Sequence, residues 1–234
     1  FAHHREIARR FEREAYAAGA IGHANIVRVL DFGAFDDGTT YMALEYLDGR
    51  DLSTEIARHG ALPIGRIARI VSQMCDALIV AHDKGIIHRD LKPENVFLVD
   101  APHPDFVKVL DFGISKFKEG VDGAAVGTAM TRTGATVGTP HYMAPEQAQG
   151  RKDIDHRVDV YALGVILYRA LTGQHPFDDA SYPMLVLKIC TEPPPPLRRY
   201  RPDVPDEFEH VVQTMLAKRP EDRYRDCAAV RGAL

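Results

Sequence analysis

One stretch constrains this chain more than any other: Ile86-Ile87-His88-Arg89-Asp90-Leu91-Lys92-Pro93-Glu94-Asn95, followed by Val96-Phe97-Leu98-Val99. Two short apolar runs enclose a loop crowded with charged and amide side chains. Burying such groups without partners or purpose is costly. After a loop around Pro102–Pro104 the chain returns as Val107-Lys108-Val109-Leu110 and runs into Asp111-Phe112-Gly113.

If Val96–Val99 and Val107–Leu110 pair as an antiparallel hairpin, its open end sets the start of the first strand beside the end of the second, about 4.8 Å away. Asn95 and Asp111 then emerge side by side and offer two oxygen ligands to one hard cation. Such sparse oxygen ligation suits Mg²⁺, which completes its shell with water and phosphate. Asp90 and Lys92 share the loop with Asn95. A carboxylate, an ammonium and a two-ligand magnesium site together describe phosphoryl transfer.

Composition narrows the alternatives. With 29 Lys+Arg against 33 Asp+Glu the chain of 234 residues carries a net charge of −4, which argues against bulk-charge binding to nucleic acid or anionic membrane. Cys75, Cys190 and Cys227 lie far apart with no C-x-x-C pair, so neither a disulfide scaffold nor a zinc knuckle is indicated. No apolar run approaches a membrane span, and the polar start at His3, His4 and Arg5 is no secretory signal. The expectation is a cytoplasmic domain, or the cytoplasmic domain of a longer, membrane-anchored protein, with no membrane contact from this segment.

Periodicity supplies the element order. Ile7, Phe11, Ala15 and Ala18 form an amphipathic stripe ending near Gly19. Val27, Val29 and Leu30 read as a strand, Asp37-Gly38 as a loop, and Tyr41–Tyr46 as the antiparallel partner, closed by Asp48-Gly49. A short helix is predicted over Asp51–Arg58. A long one after Pro63 carries Ile67, Ile70, Val71, Met74, Leu78 and Ala81 on one stripe, with Gly85 as its stop. Further helices are predicted over Arg157–Leu171 with Gly173 as a stop, Tyr182–Cys190 and Asp206–Ala217, with a last turn near Ala228. Pro193–Pro196 is an extended connector. Strands lie early and between helices, and the second half is nearly all helix, which is an α+β pattern.

The polar loop resembles the catalytic loop H-R-D-L-x-x-x-N of eukaryotic-like serine/threonine protein kinases, with Asp111-Phe112-Gly113 as the magnesium-binding D-F-G. Gly138-Thr139-Pro140-His141-Tyr142-Met143-Ala144-Pro145-Glu146 resembles the substrate-binding end of that family's activation segment. Asp159-Val160-Tyr161-Ala162-Leu163-Gly164 resembles its buried central helix, and Pro220-Glu221-Asp222-Arg223 its late arginine motif. The set occurs in the family's order along the whole chain. It implies a two-lobed protein-kinase fold with a mostly helical C-lobe and a partial N-lobe.

The resemblance implies roles residue by residue. Asp90 orients the acceptor hydroxyl and takes its proton, Lys92 neutralises the γ-phosphate, and Asn95 and Asp111 bind Mg²⁺. Glu14 pairs with the ATP-binding lysine. Glu45 and Leu47 are hinge positions for adenine, with Leu44 as gatekeeper, Asp51 as a ribose contact and Phe97 as the adenine floor. Thr139 closes onto Asp90 and Lys92. Arg89 pairs with a phosphate on the activation segment, for which Thr131 and Thr133 are the expected autophosphorylation sites. Lys92-Pro93-Glu94 is the Ser/Thr pattern, so the implied ligands are ATP, Mg²⁺ and proteins with Ser/Thr acceptors.

Other readings follow from the residues and from the resemblance together. Glu146 with Arg223 is expected to be a structural ion pair, and Asp159 a brace for the catalytic-loop backbone. His82 and His88 read as structural histidines. A second Asp31-Phe32-Gly33 reads as turn chemistry. Neither Gly-x-Gly-x-x-Gly nor a Val-Ala-x-Lys strand precedes Glu14, so residues 1–47 read as a partial N-lobe and 48–234 as the helical C-lobe. The expectation is a kinase cut inside its small lobe and short of full ATP-binding capacity. The rivals are a pseudokinase or docking module and a small-molecule phosphotransferase.

Overall fold

The computed structural model describes residues 21–35, 39–100, 104–112 and 140–234. The Ile7–Gly19 helix, the Asp37-Gly38 loop and the threonine-rich stretch before Pro140 fall outside them.

Strands β1 (Val29–Ala34) and β2 (Thr40–Leu44) form an antiparallel ribbon, with a register irregularity between Val29 and Asp31. Asp31-Phe32-Gly33 is therefore strand, not turn. Its pairing explains the difference: Phe32 lies opposite Met42 and Gly33 opposite Tyr41, while the Tyr41 hydroxyl donates to Asp31 Oδ2 at 3.1 Å. A cross-strand ladder overrides the local preference of Asp and Gly for turns.

A second sheet, in the order β3 (Gly49–Asp51), β4 (Val96–Val99), β5 (Phe106–Val109), is antiparallel throughout. The hairpin forms as expected, with Val96 opposite Val109 and Val99 opposite Phe106. Strand β3 is the surprise, because Asp48-Gly49 reads as a strand end. A Cβ at Gly49 would lie 2.1 Å from the Leu98 carbonyl oxygen, so the glycine is what lets this backbone close onto β4. The parallel bridge Ile26–Val109, with Val27 N donating to Val109 O at 3.0 Å, ties the chain before β1 to the hairpin.

Helices follow the apolar pattern closely. Helix α1 (Leu52–His59) starts at an Asp51 cap, and α2 (Ile64–Asp83) follows Pro63 and buries its predicted stripe completely. After α3 (Pro145–Ala148) comes α4 (Arg157–Thr172), ended by Gly173 in the left-handed conformation at φ 72°. Its residues from Val158 to Tyr168 are buried on every side, the mark of a helix threaded through a core and not laid on it. Helix α6 (Asp206–Met215) packs on α4, α5 (Tyr182–Thr191) lies against α3, and α7 (Cys227–Ala233) lies against α2 and α6. One apolar core runs through α1, α2, the hairpin, α4, α6 and α7, and Phe177, Leu185 and Ile189 form a small satellite.

Candidate active site

Asp159, on the buried helix α4, organises the loop that the sequence singles out. Its carboxylate accepts from His88 N and Arg89 N, both at 2.9 Å, and meets His82 Nε2 at 2.8 Å. Burial opposes ionisation of this side chain, yet His82, His88 and the backbone donors together hold its carboxyl below the ordinary range. The expected brace is thus present, and His82 joins it from α2. His88 Nε2 donates to Leu110 O at 2.8 Å, and the His88 ring packs on Phe112 with centroids 4.9 Å apart. Both histidines are structural, as expected.

Within the loop, Lys92 Nζ meets Asp90 Oδ2 at 2.9 Å. Asn95 is buried, and its Nδ2 donates to Asp90 O at 2.8 Å. That spends the donor end of the amide inside the loop and leaves its oxygen end for a cation. Leu110 N donates to Asn95 O at 2.9 Å, which sets Asn95 beside the residue preceding Asp111. Asp111 is exposed and left-handed at φ 58°. Strain of this kind at a non-glycine residue persists where the surroundings impose it. Among the described residues no three His, Cys, Asp or Glu side chains converge on a metal position. The hairpin mouth instead offers one amide oxygen and one carboxylate, a hard donor pair that fits Mg²⁺.

Of the residues expected to meet a nucleotide, Glu45 and Leu47 lie in the irregular segment after β2. The Glu45 side chain accepts from Lys108 Nζ at 2.6 Å and from Arg28 N at 2.9 Å. Burial works against its charge, but these two donors keep its carboxyl below the ordinary range. Asp51 caps α1, with Oδ1 accepting from Thr54 N and Oδ2 from Thr54 Oγ1, both at 2.8 Å. Asp51 also pairs with Phe97 in the β3–β4 ladder, which brings two of the expected nucleotide residues together. A cleft of about 320 Å³ beside Glu45 is lined by Gly22, His23, Ile26, Arg28 and Lys108, and contains none of Asp90, Asn95, Phe97 or Asp111.

Glu146 and Arg223 form the expected buried pair, Oε1 to Nη1 at 2.6 Å and Oε2 to Nη2 at 2.8 Å. Arg223 also donates to the carbonyls of Arg157, Ala217 and Lys218. Glu14, Thr131, Thr133 and Thr139 lie outside the described residues. Sequence reasoning missed three features near the site. Lys108 holds Glu45; Gln147 donates to Arg89 O; and buried Glu55 is held by Arg50 at 2.5 Å and Arg66 at 2.6 Å. None of the three has a spacing signal in the sequence that could have found it.

The protein kinase domain family matches residues 2–231. Serine/threonine-protein kinase pkn3 of Myxococcus xanthus is 47% identical over 228 residues, spanning 96% of this chain and 41% of that protein. PknB of Mycolicibacterium smegmatis is 39% identical over 229 residues, spanning 96% of this chain and 35% of that protein. The chain thus spans about two-fifths or less of the length of these relatives. Among solved structures, the PknI kinase domain of Mycobacterium tuberculosis (C20A mutant) superposes with a TM-score of 0.73 at 31% identity, covering 99% of this chain and 79% of that one. Rad53 1–466 in complex with AMP-PNP gives a TM-score of 0.74 at 29% identity, covering 94% of this chain and 53% of that one.

Proposed function

The chain belongs to the protein kinase domain family, and from that premise we propose that it is the catalytic part of a serine/threonine protein kinase working on Mg·ATP in the cytoplasm. The observation that carries this reading is the loop at Asp90. A carboxylate and an ammonium 2.9 Å apart sit on a backbone held by Asp159, next to the Asn95 amide that Asp90 O itself anchors.

In this reading the acceptor Ser or Thr hydroxyl binds to Asp90, which aligns its oxygen and receives its proton as the new O–P bond forms. The bond from the γ-phosphorus to the bridging oxygen breaks, and ADP leaves. Positioning carries most of the rate, because the transition state is loose. Lys92 turns its ammonium from Asp90 toward the γ-phosphate oxygens. Asn95 and Asp111 would hold Mg²⁺, which would supply charge neutralisation at the phosphates. The backbone groups of Glu45 and Leu47 receive adenine beside Leu44, Phe97 forms its floor, and Asp51 adds a contact to ribose beyond its capping bonds. Glu14 pairs with a lysine that grips ATP, Thr139 closes on Asp90 and Lys92, and Arg89 takes a phosphate carried by Thr131 or Thr133.

Phosphate transfer from radiolabelled ATP by the full-length protein tests the reading. Asp90→Asn and Asp111→Asn are each expected to lower transfer to Ser/Thr proteins at least about 100-fold while the protein stays folded. Transfer that is retained in Asp111→Asn removes the metal assignment. An active-site-intact protein that turns over no ATP is a docking module instead, and one that prefers aminoglycosides to proteins is a small-molecule phosphotransferase.

A further inference from the structure

We propose that Gln147 is a positioning residue for Asp90, linking the helix that ends the activation segment to the peptide bond of the catalytic carboxylate. The inference deepens the kinase reading above and rests on it.

Arg89, the residue before Asp90, is left-handed at φ 67°. A non-glycine residue rarely holds this conformation without outside support. Two side chains supply it from opposite ends of the residue. Arg89 N donates to Asp159 Oδ1 at 2.9 Å, and Arg89 O, the carbonyl of the Arg89–Asp90 peptide, accepts from Gln147 Nε2 at 2.8 Å. Asp159 is the brace already expected of this loop.

The amide of Gln147 has only one orientation that satisfies both its neighbours. Its Oε1 accepts from Ala144 N at 3.0 Å. A backbone N–H can only donate and a carbonyl can only accept, so the NH₂ end must face Arg89. The side chain is a staple with one prong on the start of α3 and the other on the Asp90 peptide. Helix α3 is itself fixed, because neighbouring Glu146 is locked to Arg223 by two short bonds. Docking of α3 is thereby transmitted to the plane of the peptide that carries Asp90. Without the staple that peptide can rotate to relieve the strain at Arg89, and the Asp90 carboxylate moves with it.

Glutamate at this position keeps the size and the acceptor for Ala144 N but turns an acceptor toward an acceptor. In the full-length protein Q147E is expected to lower kcat about 10- to 100-fold, as misplacement of a catalytic group by about 1 Å does. The KM for Mg·ATP should stay within about twofold. Q147M, which keeps the volume and loses both bonds, should fall between wild type and Q147E, and replaces Q147E if the latter fails to fold. A kcat within about twofold of wild type, or one that falls only as far as the folded fraction falls, overturns the inference. Hydrogen exchange over residues 86–95 reads the staple without turnover: faster exchange in Q147E supports it, and unchanged exchange overturns it. A wild-type protein that transfers no phosphate overturns the kinase reading instead, and the exchange measurement still decides the role of Gln147.

Discussion

Asp159 reaches His88 and Arg89 across 71 and 70 residues from a helix buried on all sides, whereas the β1–β2 ribbon is held by a local ladder between neighbouring strands. Around the Asp90 loop polar groups meet partners from other elements: His82 and Asp159, His88 and Leu110, Gln147 and Arg89. Along the ribbon, Leu30 and Phe35 are 56% and 59% exposed, and Tyr46 just beyond it is 90% exposed. Long-range side-chain bonds buried in a core fix an irregular loop to one geometry. A two-stranded ribbon gains little from its own contacts. The difference matches the division of labour proposed here, in which the loop must hold reacting atoms still while the ribbon leads toward the nucleotide.

The contrast can be broken most forcefully at the ion pair beneath the loop. Arg223→Ala leaves Glu146 buried without its partner and is expected to cost about 3–5 kcal/mol in urea denaturation. A loss under about 0.5 kcal/mol would show that this region is no more tightly specified than the ribbon. Next comes helix α4, where a Cβ at Gly164 would lie 2.8 Å from Met215 Cβ and 3.2 Å from Leu216. Gly164→Ala should therefore destabilise by about 1–3 kcal/mol through overpacking.

A smaller, pH-dependent effect sits in the turn after α4. Burial, His141 and Arg169 push the His175 pKa down to about 3. Its folded value lies below the unfolded one, near 6.5, so the unfolded chain binds the extra proton between those two values. Stability contributed by keeping this ring neutral is intact above about pH 6.5 and is lost as pH falls toward about 3. At pH 5.5 the cost is roughly 1 kcal/mol. Urea midpoints measured at pH 7.5 and 5.5 should fall more in wild type than in His175→Gln, and equal falls would remove the assignment. The smallest effect belongs to the ribbon: Leu30→Ser should change stability by no more than about 0.5 kcal/mol. A loss above about 1.5 kcal/mol would mean that Leu30 packs under a further part of the protein.

Helices were the legible part of the fold. The stripe from Ile67 to Ala81, the all-apolar run of α4 and the stop at Gly173 each carry their own local signal, and each formed within a residue or two of expectation. The hairpin was legible because two short apolar runs flank polar loops. Strand β3 and the strand character of Asp31-Phe32-Gly33 were not, because Asp and Gly favour turns locally and only a partner strand reverses that preference. At the site, Asp90, Lys92, Asn95 and Asp111 were readable as a set from residue type and spacing. The contacts of Lys108, His82 and Gln147 were not, since each acts on a group 58 to 77 residues away in the chain.

The order of residues alone carried the element types, the family resemblance and the chemistry proposed for the Asp90 loop, because each depends on short-range pattern: apolar period, turn residues, and donors crowded within a few positions. Which donor meets which acceptor is a different matter. The bonds from Asp159 and Gln147 to the two ends of Arg89, the pairing of Lys108 with Glu45 and the closure of Gly49 on Leu98 are set by packing in three dimensions. A hydrogen bond depends on distances of a few tenths of an ångström, and only the packed core determines those for groups so far apart in the chain.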